Sequence, residues 1–364
     1  MRKPALALTL VLALTACASP TSPDAVPHGY VEGASEAAEP QLTIATIDAR
    51  GEVALLDLLT GDSVTVTSLD DVTDTATDGR FVFATVPSGV SIIDSGVWTV
   101  DHEDHFHYYR AEPRVIGTVA GEGAASVTGR SPRVTIAFAS GETVVLDAEA
   151  LADGDIVEVE RSHVEPGSVV ATVGSEIVVA RPSGEISGSS TNCPAPAGTI
   201  TTRVGTVIGC SDGAVLITET LDVEHIPAPS RATSFDNRAG RPTTAALAGG
   251  DGYWLLDTRE REWMLTRTAS PLARVTAVDD AEEHVVALTT DGRVQVWAHG
   301  ELLATTERLT SVEASTTLTV DASRAYLNDI SGSRVLEIDY ADSARVAREF
   351  PFENAPLHLE EVGR

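Results

Sequence analysis

Short apolar runs that alternate with turn residues cover the chain from Gln41 to its end. One clear unit has an apolar run at 81–85, a Pro-Ser-Gly turn at 87–89 and a second apolar run at 90–93. Runs rich in β-branched and aromatic residues, joined by tight turns, predict antiparallel β-hairpins. Helical periodicity is nearly absent, and residues 148–153 are compatible with one helical turn. The pattern therefore predicts an all-β fold.

The same strand–turn–strand unit recurs along the chain. Equivalent turns stand at residues 182–184, 291–292 and 331–333. The intervals are roughly 40–50 residues, or about twice that where the pattern of one copy is too weak to recognise. Such intervals are typical of β-propeller blades. We therefore predict a single β-propeller over residues 41–364, with about seven blades of four-stranded antiparallel sheet, although six or eight blades also fit this period. A pair of β-sandwiches is the alternative, but neither a linker nor a change in composition divides the chain after residue 40.

The first residues have the form of an export signal. A positively charged start precedes an apolar segment at 4–14, which is short for a membrane span. The Leu-Thr-Ala-Cys sequence ending at Cys17 resembles the bacterial lipobox, in which the cysteine is lipidated and becomes the mature N-terminus. We therefore expect a lipoprotein signal peptide at 1–16, a flexible tether at 17–40 and a lipid anchor on the outer face of the cytoplasmic membrane. A secretory signal with an incidental cysteine is the alternative.

The chain is strongly acidic. It has 54 Asp and Glu residues against 25 Lys and Arg, for a formal net charge of −29. Such a surface repels nucleic acid and anionic lipid headgroups, so we expect no nucleic-acid partner. The charge would also concentrate cations near the protein, although solubility alone accounts for it. We expect the protein to be a monomer.

Two further cysteines, Cys193 and Cys210, lie near the middle of the chain. In an exported protein they most simply form one disulfide, which would brace one blade. Metal thiolates are the alternative, but no second close cysteine pair accompanies them.

Metal-ligand chemistry is concentrated between residues 101 and 110. Three of the nine histidines, His102, His105 and His107, lie within six residues of one another. Neutral imidazoles with carboxylates suit Zn²⁺ and, less selectively, Ni²⁺ or Cu²⁺. An extended segment puts His105 and His107 on one face, a helical turn pairs His102 with His105, and a loop could bring all three together. A solvated loop that binds metal incidentally is the alternative.

Three other residues could complete a zinc shell. Glu103 and Asp104 lie between the histidines and could ligate the metal or orient a ligating imidazole. His163 follows further along the chain, and a propeller can bring rim loops from separate blades to one place. We therefore add Glu103, Asp104 and His163 to the candidate metal ligands.

The sequence contains no signature of a hydrolase or a nucleotide-binding enzyme. A Gly-x-Ser-x-Gly elbow and a Gly-rich phosphate loop before a helix are both missing. We therefore predict that the chain is not an enzyme. A lactonase-like propeller that uses a divalent metal is the alternative, but calcium sites prefer more carboxylate and carbonyl oxygen than this segment offers.

Four stretches taken together resemble the AztD-type zinc metallochaperones. They are HGYVEGA at 28–34, WTVDHEDHFHYYRA at 98–111, NCP at 192–194 and GCSDG at 209–213. Members of that family are exported β-propeller proteins that work beside a zinc ABC importer and its solute-binding protein. The resemblance implies Zn²⁺ binding through His102, His105 and His107, and transfer of the ion to the importer's solute-binding protein.

The chain departs from the family pattern at one expected ligand. The family has a His-Gly pair after Cys-Pro, whereas residues 195–198 here read Ala-Pro-Ala-Gly. The function we expect is storage of zinc outside the cytoplasm and its hand-over to the importer. The alternative is a zinc-deficient propeller lipoprotein that acts as a protein-interaction scaffold at the cell surface.

Overall fold

The computed structural model describes residues 29–102 and 105–364, with the backbone alone at Arg130. Nearly all regular structure in these residues is β-strand, as the sequence pattern predicts. The predicted signal peptide and Cys17 lie outside the described residues. No helix in the described part of the chain is both long and apolar enough to cross a membrane.

The first half of the chain contributes fourteen strands and one helix: β1 (Ser35–Ala37), β2 (Thr43–Asp48), β3 (Glu52–Asp57), β4 (Ser63–Ser68), β5 (Asp74–Thr77), β6 (Phe81–Val86), β7 (Gly89–Asp94), β8 (Val97–Asp101), β9 (Phe106–Arg110), β10 (Arg114–Ala120), β11 (Ala125–Arg130), β12 (Arg133–Phe138), β13 (Glu142–Asp147), α1 (Ala148–Asp153) and β14 (Glu158–His163).

The second half contributes the remaining strands: β15 (Val169–Val173), β16 (Glu176–Ala180), β17 (Ala197–Thr201), β18 (Gly205–Cys210), β19 (Gly213–Thr218), β20 (Val223–Pro227), β21 (Thr233–Asp236), β22 (Thr243–Leu247), β23 (Gly252–Asp257), β24 (Glu262–Arg267), β25 (Leu272–Ala277), β26 (Val285–Thr289), β27 (Arg293–Ala298), β28 (Glu301–Arg308), β29 (Leu318–Val320), β30 (Ala325–Asp329), β31 (Arg334–Asp339), β32 (Arg345–Pro351) and β33 (Pro356–Val362). A single turn of 3₁₀ helix, Gly249–Asp251, precedes β23.

These strands form the blades of a β-propeller. Seven four-stranded antiparallel sheets are complete within the described residues, with orders β33-β2-β3-β4, β5-β6-β7-β10, β11-β12-β13-β14, β17-β18-β19-β20, β21-β22-β23-β24, β25-β26-β27-β28 and β29-β30-β31-β32. The two-stranded unit β15–β16 occupies an eighth position, extended only by isolated bridges. Eight units over residues 41–364 average about 40 residues each, at the short end of the predicted interval, which is why the sequence period suggests about seven blades with eight also possible.

The ring is closed by pairing the last strand with the first blade. β33 runs antiparallel to β2, with Thr43 opposite Val362 and Ile47 opposite His358. The innermost strands of successive blades contact one another around the central channel. The blades pack face to face, so each sheet keeps only an inner edge at the channel and a short outer edge at the surface.

Apolar side chains between blades form the core. Between the second and third blades, Phe83 and Ile92 pack with Ile136 and Leu146, and each is at most 1% exposed. The helix α1 covers this interface with Leu151. Asp147 caps the helix by accepting hydrogen bonds from the backbone N–H groups of residues 149 and 150.

The predicted disulfide between Cys193 and Cys210 is present. Cys210 ends β18, and Cys193 lies in the segment that leads from the two-stranded unit to the next blade. Both side chains are buried. The bond therefore ties the incomplete blade to its complete neighbour.

A β-hairpin is inserted into the second blade between its third and fourth strands. The chain leaves β7, forms β8 and β9, and returns as β10 to complete the blade. β9 also pairs with β1, so that the insertion is a separate three-stranded sheet of order β1-β9-β8. The end of the predicted tether at 17–40 is therefore part of the fold, because residues 35–37 find their partner strand in this insertion.

Candidate metal centre

The inserted hairpin carries the histidine segment at its tip. Its register pairs Val100 with His107 and Asp101 with Phe106. The backbone N–H of His102 donates a hydrogen bond to the carbonyl oxygen of His105 at 2.9 Å, which closes the turn. The apolar run from Val97 and the aromatic run to Tyr109 thus form two strands, and His102 and His105 lie at the ends that face the tip.

Asp94 holds the base of the hairpin on the blade. Its carboxylate is 2% exposed and receives two hydrogen bonds from Arg80, at 3.0 and 2.8 Å, and one from the backbone N–H of Gly96 at 3.1 Å. Gly96 has φ +73°, and a Cβ there would lie 2.4 Å from the carbonyl oxygen of Ala111. A glycine is therefore required where the chain turns into the hairpin.

A stack of flat side chains leads from this base to the histidines. The Arg80 guanidinium lies 3.9 Å from the centroid of the Trp98 ring. Trp98 stacks on Tyr109 with 5.1 Å between ring centroids, and Tyr109 lies nearly parallel to His107 with 6.1 Å between centroids. Trp98 and Tyr109 are buried, so the stack holds His107 on a rigid support.

The three imidazoles lie together at the hairpin tip. The ring centroids are 5.2 Å apart for His102 and His105, 5.1 Å for His102 and His107, and 4.8 Å for His105 and His107. Nε2 of His105 lies 2.9 Å from Nε2 of His107. His107 is buried, whereas His102 and His105 are exposed. The three imidazoles therefore meet as the loop geometry predicts, and not as in a helical turn, which would pair His102 with His105 alone.

Glu36, on β1, orients the buried imidazole. Its Oε1 lies 2.6 Å from Nδ1 of His107. When Nδ1 donates its proton to this carboxylate, Nε2 is free of the proton and faces His105. Sequence analysis missed Glu36 because it lies in a segment with the composition of a linker, 71 positions before His107.

Gly29 closes the side of the cluster. Its carbonyl oxygen accepts a hydrogen bond from the Tyr109 hydroxyl at 2.8 Å. A Cβ on Gly29 would lie 2.7 Å from Cε1 and 2.8 Å from Nδ1 of His107. The backbone here therefore packs against the imidazole with no room for a side chain, which is a second reason why the segment before β1 belongs to the site.

The imidazole nitrogens are of the type that zinc prefers, but their spacing differs from that of a zinc shell. In residues 29–102 and 105–364, no group of three or more His, Cys, Asp or Glu side chains is arranged so that it could hold a metal ion as it stands. Tetrahedral zinc with bonds of about 2.0–2.1 Å places two ligand nitrogens about 3.4 Å apart. The Nε2 atoms of His105 and His107 would therefore have to separate by about 0.5 Å to share a zinc ion.

The structure separates His163 from the cluster. It lies at the end of β14, the outermost strand of the third blade, beside a different cavity that Glu122, Glu142 and Arg161 also line. The cavity beside His163 includes the turn between β6 and β7, whereas the hairpin leaves from the opposite end of β7.

Two further predicted ligands, Glu103 and Asp104, lie outside the described residues. Three histidines elsewhere in the ring pair with carboxylates instead: His225 with Asp212 at 3.0 Å, His284 with Asp280 at 2.7 Å, and His299 with Glu283 at 3.1 Å.

A second concentration of polar groups lines the central channel. Asp74, Asp236, Glu360 and His358 surround a cavity of about 570 Å³. Burial raises the pKa of both Asp236 and Glu360 to about 7, because the surrounding protein disfavours their charged forms. These groups carry fewer imidazoles than the hairpin, which remains the better zinc candidate.

The fold can be compared with known structures. No known family model matches the chain, and no curated protein matches its sequence. The crystal structure of AztD from Citrobacter koseri is 20% identical, with a TM-score of 0.71, and the match covers 88% of this chain and 97% of that one. The structure of apo AztD from the same organism gives 18% identity and a TM-score of 0.72 over the same shares.

A second kind of propeller also matches. The dihydro-heme d1 dehydrogenase NirN, solved in complex with DHE, is 15% identical with a TM-score of 0.59, covering 90% of this chain and 76% of that one. At these identities the matches describe the fold alone. The chain therefore has the β-propeller fold of AztD, and the resemblance first seen in the sequence is confirmed at the level of the fold.

Proposed function

We propose that this chain is an exported zinc-binding chaperone that stores Zn²⁺ and transfers it to the solute-binding protein of a zinc ABC importer. The observation that carries the proposal is the cluster of His102, His105 and His107 at the tip of one inserted hairpin, with the Nε2 atoms of two of them 2.9 Å apart. The AztD fold supports it, as does the resemblance of the hairpin sequence to that family.

The site has the physical properties that transfer requires. His107 is buried and held by Glu36, while His102 and His105 are exposed. A zinc ion bound there would have one fixed ligand and an open side from which a ligand of the acceptor protein could attack. No covalent bond is made or broken in the proposed transfer, so the chain is not an enzyme in this proposal.

The location outside the cytoplasm is part of the proposal. Its support is the export signal at 1–16 and the lipobox-like sequence ending at Cys17. Lipidation of Cys17 would hold the propeller at the outer face of the cytoplasmic membrane, within reach of an importer. The disulfide between Cys193 and Cys210 agrees with an oxidising compartment.

Zinc stoichiometry and affinity test the proposal directly. We expect about one tightly bound zinc ion per chain, measured by competition with a chromophoric chelator and by elemental analysis. A variant with His102, His105 and His107 all changed to Ala should lose it. His225→Ala is a matched control, because this half-buried histidine pairs with Asp212 away from the hairpin.

Transfer is tested with zinc-loaded chain and an apo solute-binding protein of a zinc importer. We expect the acceptor to gain zinc faster from the zinc-loaded chain than from a chelator that holds the free zinc concentration at the same value. Absence of tight zinc in the parent chain would overturn the zinc function and favour the surface scaffold. Tight zinc with no acceleration would restrict the function to storage.

A further inference from the structure

A cavity of about 480 Å³ lies beneath the zinc-candidate hairpin, at the end of the channel where the inner strands finish. We call it the hairpin pocket. Its hairpin wall is made by Phe106 and Tyr108, and its opposite wall includes Arg238 and Glu361. The proposed zinc function does not use this cavity, because the buried imidazole His107 lies on the other face of β9.

The hairpin wall is aromatic and open to the cavity. The rings of Phe106 and Tyr108 lie nearly parallel, with 6.3 Å between centroids and 16° between planes. Phe106 is 53% exposed. Pro40 and Leu42 add apolar surface beside them. An exposed ring that faces a cavity offers a platform for a flat apolar group, where burial would be favourable.

The opposite wall contains an arginine without a carboxylate partner. Nη2 of Arg238 donates to the carbonyl oxygen of Asp279 at 3.3 Å, and its Nε is buried with no hydrogen-bond acceptor. The neighbouring Arg241 is different, because its Nε lies 3.1 Å from the Asp279 carboxylate. Within the described part of the chain, no carboxylate forms an ion pair with Arg238. The guanidinium charge of Arg238 at this wall would therefore favour an anionic ligand.

The acidic residues of the pocket limit the charge of a ligand. The Asp321 carboxylate already accepts hydrogen bonds from two backbone N–H groups and from the Tyr326 hydroxyl. Glu361 is 2% exposed and contacts Arg364 at 3.4 Å through Oε2, while its Oε1 has no hydrogen-bond partner. These carboxyl groups, with Asp101 at the rim, disfavour a multiply charged anion, and the arginines disfavour a free cation.

We propose that the hairpin pocket binds a small organic monocarboxylate with a flat apolar body. Arg238 receives the carboxylate, and Phe106 with Tyr108 receives the body. The acidic side chains of the pocket would attract the ammonium group of an α-amino acid, so carboxylates with and without an α-ammonium group are the two sources to distinguish. This inference does not rest on the proposed zinc function.

Calorimetric titration of the full chain with four probes tests the chemistry. Benzoate and L-phenylalanine carry the carboxylate, benzyl alcohol has the same ring without charge, and benzylamine carries the opposite charge. We expect at least one carboxylate to bind at least about tenfold more tightly than benzyl alcohol and benzylamine. Tighter binding of L-phenylalanine than of benzoate would identify the α-amino acid as the natural class, and the reverse order would identify a simple acid.

Three variants locate the binding. Arg238→Gln should weaken the preferred carboxylate about tenfold or more, and Phe106→Ala should weaken it by several-fold while changing only an exposed ring. Arg267→Gln, an exposed arginine on β24 outside the pocket, should leave the affinity unchanged. Circular dichroism confirms that each variant is folded.

Three results would overturn the proposal. One is that no carboxylate probe binds at concentrations up to about 10 mM. Another is that benzyl alcohol or benzylamine binds as tightly as the carboxylates. The third is that folded Phe106→Ala and Arg238→Gln proteins both retain the parental affinity, since binding would then lie elsewhere on the molecule.

Discussion

Oε1 of Glu36 lies 2.6 Å from Nδ1 of His107, although 71 positions separate the two residues in the chain. The contact depends on the pairing of β1 with β9, which places Glu36 opposite Tyr109. A carboxylate on one ring nitrogen fixes the tautomer of an imidazole and raises its basicity as a ligand through the other nitrogen. Glu36 therefore connects the segment before the propeller to the zinc chemistry of the hairpin.

Changing Glu36 to Gln should weaken zinc binding about 10- to 100-fold without abolishing it. The amide keeps the shape of the side chain but loses the negative charge that orients His107. The measurement is zinc affinity by chelator competition, at fixed pH and ionic strength.

Glu32→Gln is the matched control, because it removes the same charge from the same acidic segment without touching the imidazole. An equal loss of affinity in both variants would mean that Glu36 acts only through long-range electrostatics. Unchanged affinity in Glu36→Gln would contradict an orienting role for this carboxylate.

The sequence predicts a metal site in the histidine segment, but neither the hairpin that carries it nor all of its partners. The run from Val97 and the aromatic residues before Arg110 have strand character, and the histidines between them mark the tip. Glu36 could not be found this way, because β1 is three residues long and has no apolar alternation. Its strand character comes from pairing with β9, which is a tertiary interaction.

The repeat of about seven four-stranded blades is confirmed, with one further two-stranded unit. Blades with Asp-Gly or Ser-Gly turns, such as those around Gly292 and Gly332, are visible because the turn chemistry is local. The unit of β15 and β16 keeps its turn at 182–184 but lacks two regular strands, which the sequence pattern does not reveal. The acidic channel was also not predicted, since Asp236 and Glu360 come together only when the ring closes.

His163 provides a second prediction, because sequence and structure place it differently. We expect His163→Ala to leave zinc affinity unchanged, since this residue lies on the outer strand of the third blade. His105→Ala should reduce the affinity by more than about 100-fold, because it removes a nitrogen that faces Nε2 of His107. Both variants are measured by the same chelator competition.

Equal losses in the two variants would show that His163 reaches the ion after all, through a rearrangement of the blades. An unchanged affinity in His105→Ala would move the zinc site away from the hairpin tip. Stoichiometry measured beside affinity distinguishes a weakened site from a lost one.

The disulfide provides a third prediction, concerning stability. Cys193 and Cys210 enclose a loop with a sequence separation of 17, so their bond should contribute about 3 kcal/mol by restricting the unfolded chain. Changing both to Ser should lower the free energy of unfolding by that amount or more, because both positions are buried.

Denaturant unfolding of the parent, with and without reductant, checks this estimate. Reductant should destabilise the parent protein and leave the double variant unchanged. A parent that is insensitive to reductant at its unfolding midpoint would mean that the bond contributes little. Zinc affinity should be the same in all cases, because the disulfide lies in a different part of the ring from the hairpin.

The acidic channel provides a fourth prediction, concerning pH. Burial raises the pKa of Glu360 to about 7, with Asp74 and Asp236 acting in the same direction against the hydrogen bond from Thr75 and the charge of Arg364. An unfolded glutamic acid loses its proton near pH 4. Between about pH 4 and 7 the folded state therefore binds more protons than the unfolded state, so the free energy of unfolding falls as pH rises through this window.

Changing Glu360 to Gln should reduce this fall and make the protein more stable than the parent above pH 7, by roughly 1–3 kcal/mol. Glu301→Gln, on the exposed outer strand β28, is the control and should leave the pH dependence unchanged. Unfolding by denaturant at a series of pH values from 5 to 8 measures the effect. A parent whose stability rises across this range, or a Glu360→Gln protein with the parental slope, would show that the carboxyl stays charged in the folded channel and has a cationic partner there.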